Sequence, residues 1–325
     1  MTVVKKIAFI IPYFGRFNNY FPLFLESCAQ NPDCDWLIFT DDDREFSYPS
    51  NVIVHYMSFT EMQTMVQGKF DFTIALERAY KLCDFRPAYG YIFEEYLAEY
   101  LAWGYCDTDL IFGRIRDFIS EHDIEDYDKI GIFGHCTVFR NTEENNRMFQ
   151  QPLNGRCRYR EVYMDRRNHS FDEEFKDSIN TIYESCGRHI RFTEYQANIY
   201  TKSSDFRLTS WNSSKKCYQN EKLKRAVFVW EKGVLSRYWV EQGQLQRREY
   251  LYIHMQARPM SIRLKDMNHQ NTFKIIPNSF DSLEVEEITA DNFAHIRVKH
   301  FNLHYFRLRS KNLCIKIKKK LGLAY

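Results

Sequence analysis

Apolar positions along the N-terminal sixty residues fall into short continuous runs separated by one stretch of helical spacing. Val3 to Ile11 (VVKKIAFII) is such a run, halted by Pro12, which predicts a buried strand feeding a loop. From Asn19 to Gln30 the residues Phe21, Phe24, Leu25 and Cys28 recur on one helical face. Asp35 to Thr40 (DWLIFT) predicts a second buried strand that runs into Asp41-Asp42-Asp43, and Asn51 to Met57, with Val52, Val54 and Tyr56 alternating, predicts a third. Strand, helix, strand, strand is the opening of an α/β nucleotide-binding half, whose ligands lie beyond the carboxyl ends of the strands.

Further along, helices are expected over Thr60 to Val66, with Thr60 as the cap, and over Phe72 to Cys83. Phe93 to Leu101 sets a Tyr/Leu face against glutamates. Trp103 to Gly113 is an aromatic strand interrupted by Asp107-Thr108-Asp109; a short helix is expected over Arg116 to Ser120, and strands over Lys129 to Phe133 and Cys136 to Phe139. Residues 151 to 225 are polar, Arg-rich and weakly periodic, and predict no definite element. Ala226 to Val240 reads as a hairpin turning at Glu231-Lys232-Gly233, and Tyr250 to His254 as a late strand. With no internal repeat and no low-complexity linker, the economical organisation is one catalytic domain over residues 1–280 and a C-terminal extension over 281–325.

The composition allows a substantial core: 325 residues, 44% hydrophobic and 17% aromatic. Aromatic rings at that density also suit clefts that bind sugars or bases. A net charge of +2 gives no global case for nucleic-acid binding. Charge is instead local: from Arg297 to Lys320 basic residues meet no acidic one, and Phe301 to Leu323 mixes aromatics and aliphatics with Arg and Lys. That pattern suits an anionic membrane face. Nine cysteines, odd in number and without a Cys-x-x-Cys pair, read as reduced thiols of a cytosolic compartment. The N-terminal run is too short for a signal-peptide core or a bilayer span, so a cytoplasmic protein, soluble or peripheral on the membrane, is expected.

Asp107 and Asp109 are the leading chemical candidates. Residues i and i+2 of a strand face the same way, so both carboxylates can address one hard divalent cation. Asp-x-Asp occurs four times here, at Asp33/Asp35, Asp41/Asp43, Asp107/Asp109 and Asp126/Asp128, whereas on the order of one is expected by chance. Context separates them. Asp33/Asp35 and Asp126/Asp128 read as solvated turn residues, Asp41 as a ligand-bonding group at a strand end, and Asp107/Asp109, flanked by apolar residues, as carboxylates that need a cation. Lys81 or Arg86 can neutralise a diphosphate or complement a helix end, and Asp84 can accept a sugar hydroxyl. His254 ends a late strand, where it is a metal ligand or a structural imidazole; His135 has the same ambiguity or could face an acceptor hydroxyl. Phe171-Asp172-Glu173-Glu174-Phe175 offers a general base or merely an acidic helix start. Walker-type, Gly-x-Gly-x-x-Gly and Gly-x-Ser-x-Gly motifs are missing, which disfavours phosphate-loop ATPases, classical dinucleotide enzymes and α/β-hydrolases.

Taken in order, the blocks Ile7 to Gly15, Lys81 to Gly90, Trp103 to Asp109, Gly134 to Asn141, Phe171 to Glu173 and Tyr252 to His254 resemble a GT-A type nucleotide-sugar glycosyltransferase, of the bacterial family found in capsule and O-antigen gene clusters. The resemblance implies an α/β, Rossmann-like mixed sheet flanked by helices. It implies a UDP-sugar donor, with Pro12, Tyr13, Phe14 and Asp41 near the nucleoside and Lys81, Asp84 and Arg86 near the diphosphate or sugar. Mn²⁺ or Mg²⁺ would sit on Asp107 and Asp109, completed by His254 as in retaining members of similar layout. Asp172 or Glu173 would be the base of an inverting reaction, and the acceptor a glycan, lipid-linked at the inner membrane face. A sugar-nucleotidyltransferase and a non-catalytic glycan-binding or assembly protein are the competing expectations.

Overall fold

The computed structural model describes residues 7–173, 176–192, 194–222, 225–256, 258–264 and 271–320. Val3 to Lys6 of the expected first strand, Glu174 and Phe175 of the acidic cluster, and residues 321–325 of the basic tail lie outside them. The chain forms two compact units: residues 1–110 with 114–194, and residues 111–113 with 195–325. This division at 194/195 departs from the continuous body expected through residue 280, because the later strands close a sheet and core of their own.

In the first unit, β1 (Ile7–Tyr13), β2 (Cys34–Thr40), β3 (Val52–Tyr56) and β4 (Ala102–Cys106) run parallel in the order β3-β2-β1-β4. β5 (Leu110–Phe112) follows directly in sequence but pairs elsewhere. β6 (Lys129–Phe133), β7 (Cys136–Arg140) and β8 (Ile190–Arg191) extend the sheet past β4 in the order β7-β6-β8, with β7 antiparallel to both β4 and β6. The mixed α/β class read from the sequence is the one observed. Every residue of β2 and β4 is buried, as expected of parallel strands covered on both faces. One continuous core joins Ile10, Leu37, Phe39, Trp103, Tyr105 and Phe139 of the sheet to Phe85, Tyr89, Phe149 and Tyr163 of the covering segments. Strands β4 and β7 approach so closely at Gly104 that a Cβ there would lie 2.5 Å from the Thr137 carbonyl oxygen.

The second unit contains β9 (Gln196–Asn198), the hairpin β10 (Thr209–Asn212) and β11 (Cys217–Asn220), and then β12 (Ala226–Glu231), β13 (Val234–Glu241), β14 (Gln244–Glu249), β15 (Tyr252–His254), β16 (Ser261–Arg263), β17 (Thr272–Ile276) and β18 (Ser279–Asp281). Its main sheet has the order β14-β13-β12-β17-β18-β16, and β5, β15 and β9 form a separate three-stranded sheet. The hairpin turning at Lys232-Gly233 is as read from the sequence. An 18-residue helix, Leu303–Lys320, closes the described chain.

Several local expectations fail for identifiable reasons. The helix Phe59–Gly68 is capped by Ser58, not Thr60: Ser58 Oγ accepts the Glu61 N–H while the Glu61 carboxylate accepts the Ser58 N–H. Phe72 to Arg78 is not helical, because the Gln67 amide takes the Phe72 carbonyl and the Ile74 N–H, and the Ala75 N–H goes to the Tyr163 carbonyl. Only Glu94–Tyr96 of the stretch Phe93 to Leu101 turns, as a 3₁₀ segment, since Asn141 Nδ2 captures the Leu97 and Tyr100 carbonyls. The Arg116 to Ser120 helix is a 3₁₀ turn, Ile115–Asp117, ahead of the helix Glu121–Asp126. In each of the two acid pairs read as solvated, one member is buried. Asp35 is buried and accepts the Tyr100 hydroxyl at 2.6 Å; Asp128 is buried, accepting from Arg140 at 2.6 Å and from the His189 N–H at 3.0 Å.

The Gly104 contact yields a stability prediction. Gly104→Ala should lower unfolding free energy by about 1–3 kcal/mol through overpacking between β4 and β7, read as a reduced urea midpoint at unchanged m-value. An unchanged midpoint would contradict the close approach.

Candidate active site

Three strand ends converge in the first unit, and two hydrogen bonds tie them together. After β1 the chain turns at Gly15, whose φ is +106° and whose N–H donates to Asp41 Oδ1 at 2.7 Å, just past the end of β2. Asn18 Nδ2 in the same loop donates to the Thr108 carbonyl at 3.3 Å, in the turn that follows β4. Asp42 fixes the loop by accepting the Phe17 N–H at 2.9 Å and the Arg44 guanidinium, which holds its carboxyl down at about 2. Tyr13 is half-buried; its ring stacks on Phe17 at 4.6 Å, its hydroxyl donates to the Arg16 carbonyl, and its pKa is raised by burial and then by Asp109. Phe14 packs on Phe59, and Pro12 pairs in register with Phe39 at the end of the sheet.

Arg86 is the hub of the site. Its Nη2 donates to Asp107 Oδ1, and its Nη1 to Asp172 Oδ2 at 2.9 Å and to the Gly134 carbonyl, while the guanidinium lies over the Tyr105 ring at 5.3 Å. The Asp107 N–H is held by the His135 carbonyl at 3.0 Å, and His135 itself is buried against Phe133. Gly134 is required here: an added Cβ would fall 2.7 Å from Asp172 Oδ2 and 2.8 Å from Glu173 Cγ. Asp172 is fully enclosed, and burial pushes its carboxyl up to about 6 even though Arg86 pulls the other way. Glu173 is half-buried beside it.

Lys81 and Asp84 do not serve the role expected of them. Both are buried, and Lys81 Nζ donates to Asp84 Oδ2 at 2.8 Å and to the Val162 and Arg167 carbonyls at 2.9 and 2.6 Å, so its three protons are all engaged. Asp84 also accepts the His169 and Phe171 N–H groups at 3.0 Å each. The pair therefore fixes the course of the 165–173 loop, and of the two cations in this block only Arg86 remains as a ligand for an anion.

Leu110 follows Asp109 and opens β5, the strand next to β15 in the small sheet, and β15 ends at His254. One carboxylate oxygen each of Asp107 and Asp109 lies within 4.8 Å of the other. Two carboxylates so placed fit a hard divalent cation such as Mn²⁺ or Mg²⁺. His254 Nδ1 faces Asn198 Oδ1 at 3.3 Å, and Gln256 Nε2 donates to that same oxygen at 2.5 Å. An amide oxygen only accepts, so this contact is a hydrogen bond when Nδ1 carries the imidazole proton. Asn198, Gln256 and Gly134 carry no sequence signal for these roles; the bridging of two acids by Arg86 could be guessed only once Asp107 and Asp172 were both suspected.

Residues 9–284 match a family of unknown function, DUF6625. The chain belongs to that family. No curated protein matches it. Among solved structures it is similar to the galactosyltransferase LgtC in complex with donor and acceptor sugar analogues, at 10% identity and a TM-score of 0.36 over 59% of this chain and 75% of that one. It is also similar to mouse xyloside xylosyltransferase 1 in its apo form, at 12% identity and a TM-score of 0.37 over 61% of this chain and 88% of that one.

Two measurements test this geometry. Replacing one member of the buried pair, as in Asp84→Asn, should cost about 3–5 kcal/mol in chemical denaturation, since it leaves the Lys81 charge buried and uncompensated; a loss near zero would mean that the pair is solvated. For Asp172, the folded-state pKa of about 6 lies above the ordinary 3.8. Its contribution to stability is therefore present below the lower value and is lost as pH rises through the higher one. Urea midpoints should show a component that falls between these pH values in wild type and is missing in Asp172→Asn.

Proposed function

We propose that the chain is a metal-dependent GT-A type glycosyltransferase that transfers a hexose-type sugar from a UDP-sugar to a glycan acceptor, lipid-linked, in bacterial surface polysaccharide synthesis. The observation that carries this reading is that Asp107 has an oxygen within 4.8 Å of one of Asp109 and is at the same time ion-paired with Arg86. A cation site and a guanidinium sharing one carboxylate suit a diphosphate, which both can contact. In the reaction the bond from the anomeric carbon to the diphosphate breaks, its electron pair leaves with UDP, and the acceptor hydroxyl bonds to that carbon. Asp107 and Asp109 would hold a divalent cation, which would supply positive charge against the leaving diphosphate.

Arg86 is placed to add to that charge where it develops. Asp172, enclosed and ion-paired, orients the guanidinium, which leaves the half-buried Glu173 as the carboxylate suited to accept a hydroxyl proton if the reaction inverts. The Pro12 loop and Asp41 border the nucleoside side of the same three-strand convergence. A nucleotidyltransferase is less well supported, because the Gly15 N–H that would have to cradle a phosphate is committed to Asp41.

The C-terminal helix supports a membrane-facing role. Leu303, Phe306, Leu313 and Ile317 are exposed along one helical stripe, Arg307, Arg309 and Lys311 are exposed beside it, and Leu308, Asn312 and Ile315 are half-buried, with Asn312 bonded to the Lys202 carbonyl. Among the described residues no helix is long and apolar enough to cross a membrane. An apolar stripe bordered by cations lies in the plane of an anionic surface.

UDP release should be stimulated by Mn²⁺ with one member of a UDP-sugar panel, and Asp109→Asn should abolish it while keeping the fold. In thermal-shift assays Mn²⁺ should raise the midpoint of wild type but not of Asp109→Asn; equal shifts in the two proteins would refute the metal assignment. Flotation with phosphatidylglycerol vesicles should carry wild type upward and leave Phe306→Asp/Leu313→Asp at the bottom. If both float alike, the helix is not the membrane contact.

A further inference from the structure

The 3₁₀ turn Ala79–Lys81 presents one aromatic ring outward. Lys81 is buried and bonded on all three protons, yet the residue before it, Tyr80, is 72% exposed. Such exposure is unusual for a tyrosine on an otherwise rigid segment, and nothing in the packing of the first unit accounts for it. The backbone beneath the ring is pinned: Asn168 Nδ2 reaches the Tyr80 carbonyl at 3.5 Å, and Arg78 Nη2 donates to Asn168 Oδ1 and to the Arg166 carbonyl, each at 3.2 Å. Asn168 and Arg78 are exposed as well, so an amide and a guanidinium stand beside the backbone that carries the ring.

This cluster borders the site. Asn168 belongs to the loop whose course Asp84 fixes and which leads into Asp172 and Glu173. The Tyr80 hydroxyl feels Cys83 first, then burial, then Glu173, Arg86 and Asp172, and its pKa is raised. Of the cations on this rim, Arg166 pairs with Glu77 at 2.8 Å and Arg167 with Asp165 at 2.8 Å, while Arg78 bonds a carbonyl and an amide oxygen. A rim whose cations are so engaged does not select a polyanion. An open ring flanked by hydrogen-bonding groups instead suits the C–H face of a neutral pyranose, with its hydroxyls turned to the amide and the guanidinium.

We propose that Tyr80, flanked by Asn168 and Arg78, is the stacking platform for a neutral pyranose of the acceptor. The proposal rests on the transferase reading in calling that sugar the acceptor. The platform itself is tested without turnover, by saturation-transfer NMR with methyl glycosides of the common hexoses and N-acetylhexosamines. Wild type and Tyr80→Phe should transfer saturation to the ring protons of at least one glycoside. Tyr80→Ala should reduce that signal by about fivefold or more, the loss expected for one aromatic contact. Tyr56→Ala removes another exposed tyrosine, at a sheet edge, and should leave the signal intact. Because Tyr80 is largely exposed, both Tyr80 variants should melt like wild type.

The proposal is overturned if no glycoside binds wild type, if Tyr80→Ala binds as well as wild type, or if Tyr56→Ala loses the signal equally. Failure of the transferase reading is seen separately, as absence of UDP release from every donor while glycoside binding at Tyr80 persists.

Discussion

A guanidinium held between two carboxylates organises the first unit's chemistry. Arg86 pairs with Asp107 on one side and Asp172 on the other, and it lies over the face of Tyr105. Removing Arg86 would leave two carboxylates without their shared cation in a largely buried setting, where such imbalance is costly. The neighbouring structure keeps this arrangement tight. Gly134 has no side chain because the Asp172 carboxylate occupies the space, and the His135 carbonyl fixes the backbone of Asp107. The same ion pairs hold a strong anion-binding group ready without leaving it bare to solvent.

The parallel half of the sheet was readable because its strands are buried on both faces. Short, continuous apolar runs such as those in β1 and β2 suit strands covered on both sides, and their carboxyl ends then locate a crevice by topology alone. The strand ends at Asp107 and at His254 were also readable: β4 stops just before the first and β15 at the second. Periodicity misled where side-chain amides compete with helix formation. Gln67 and Asn141 each satisfy backbone groups that a helix would have used, and a sequence window cannot show a partner that is distant along the chain.

Charge was the harder quantity to read. Lys81, Asp84 and Arg86 lie within one short block and look alike on paper, yet two are enclosed and satisfied by each other while the third reaches the site. Burial makes that difference, and it arises from residues 162 to 173, where the sequence carries little periodic signal. Asp35 and Asp128 were misread for the same reason: an acid in a turn-like context can still be covered by a tyrosine or an arginine from another element.

The Lys81–Asp84 pair holds its loop by main-chain atoms only: two carbonyls for the ammonium, two N–H groups for the carboxylate. No side chain from 167 to 171 takes part in that grip. The exposed side chains of the loop, Arg166, Arg167 and Asn168, are therefore not needed to set the path that leads to Asp172 and Glu173, whereas Phe171 is kept by its place in the core.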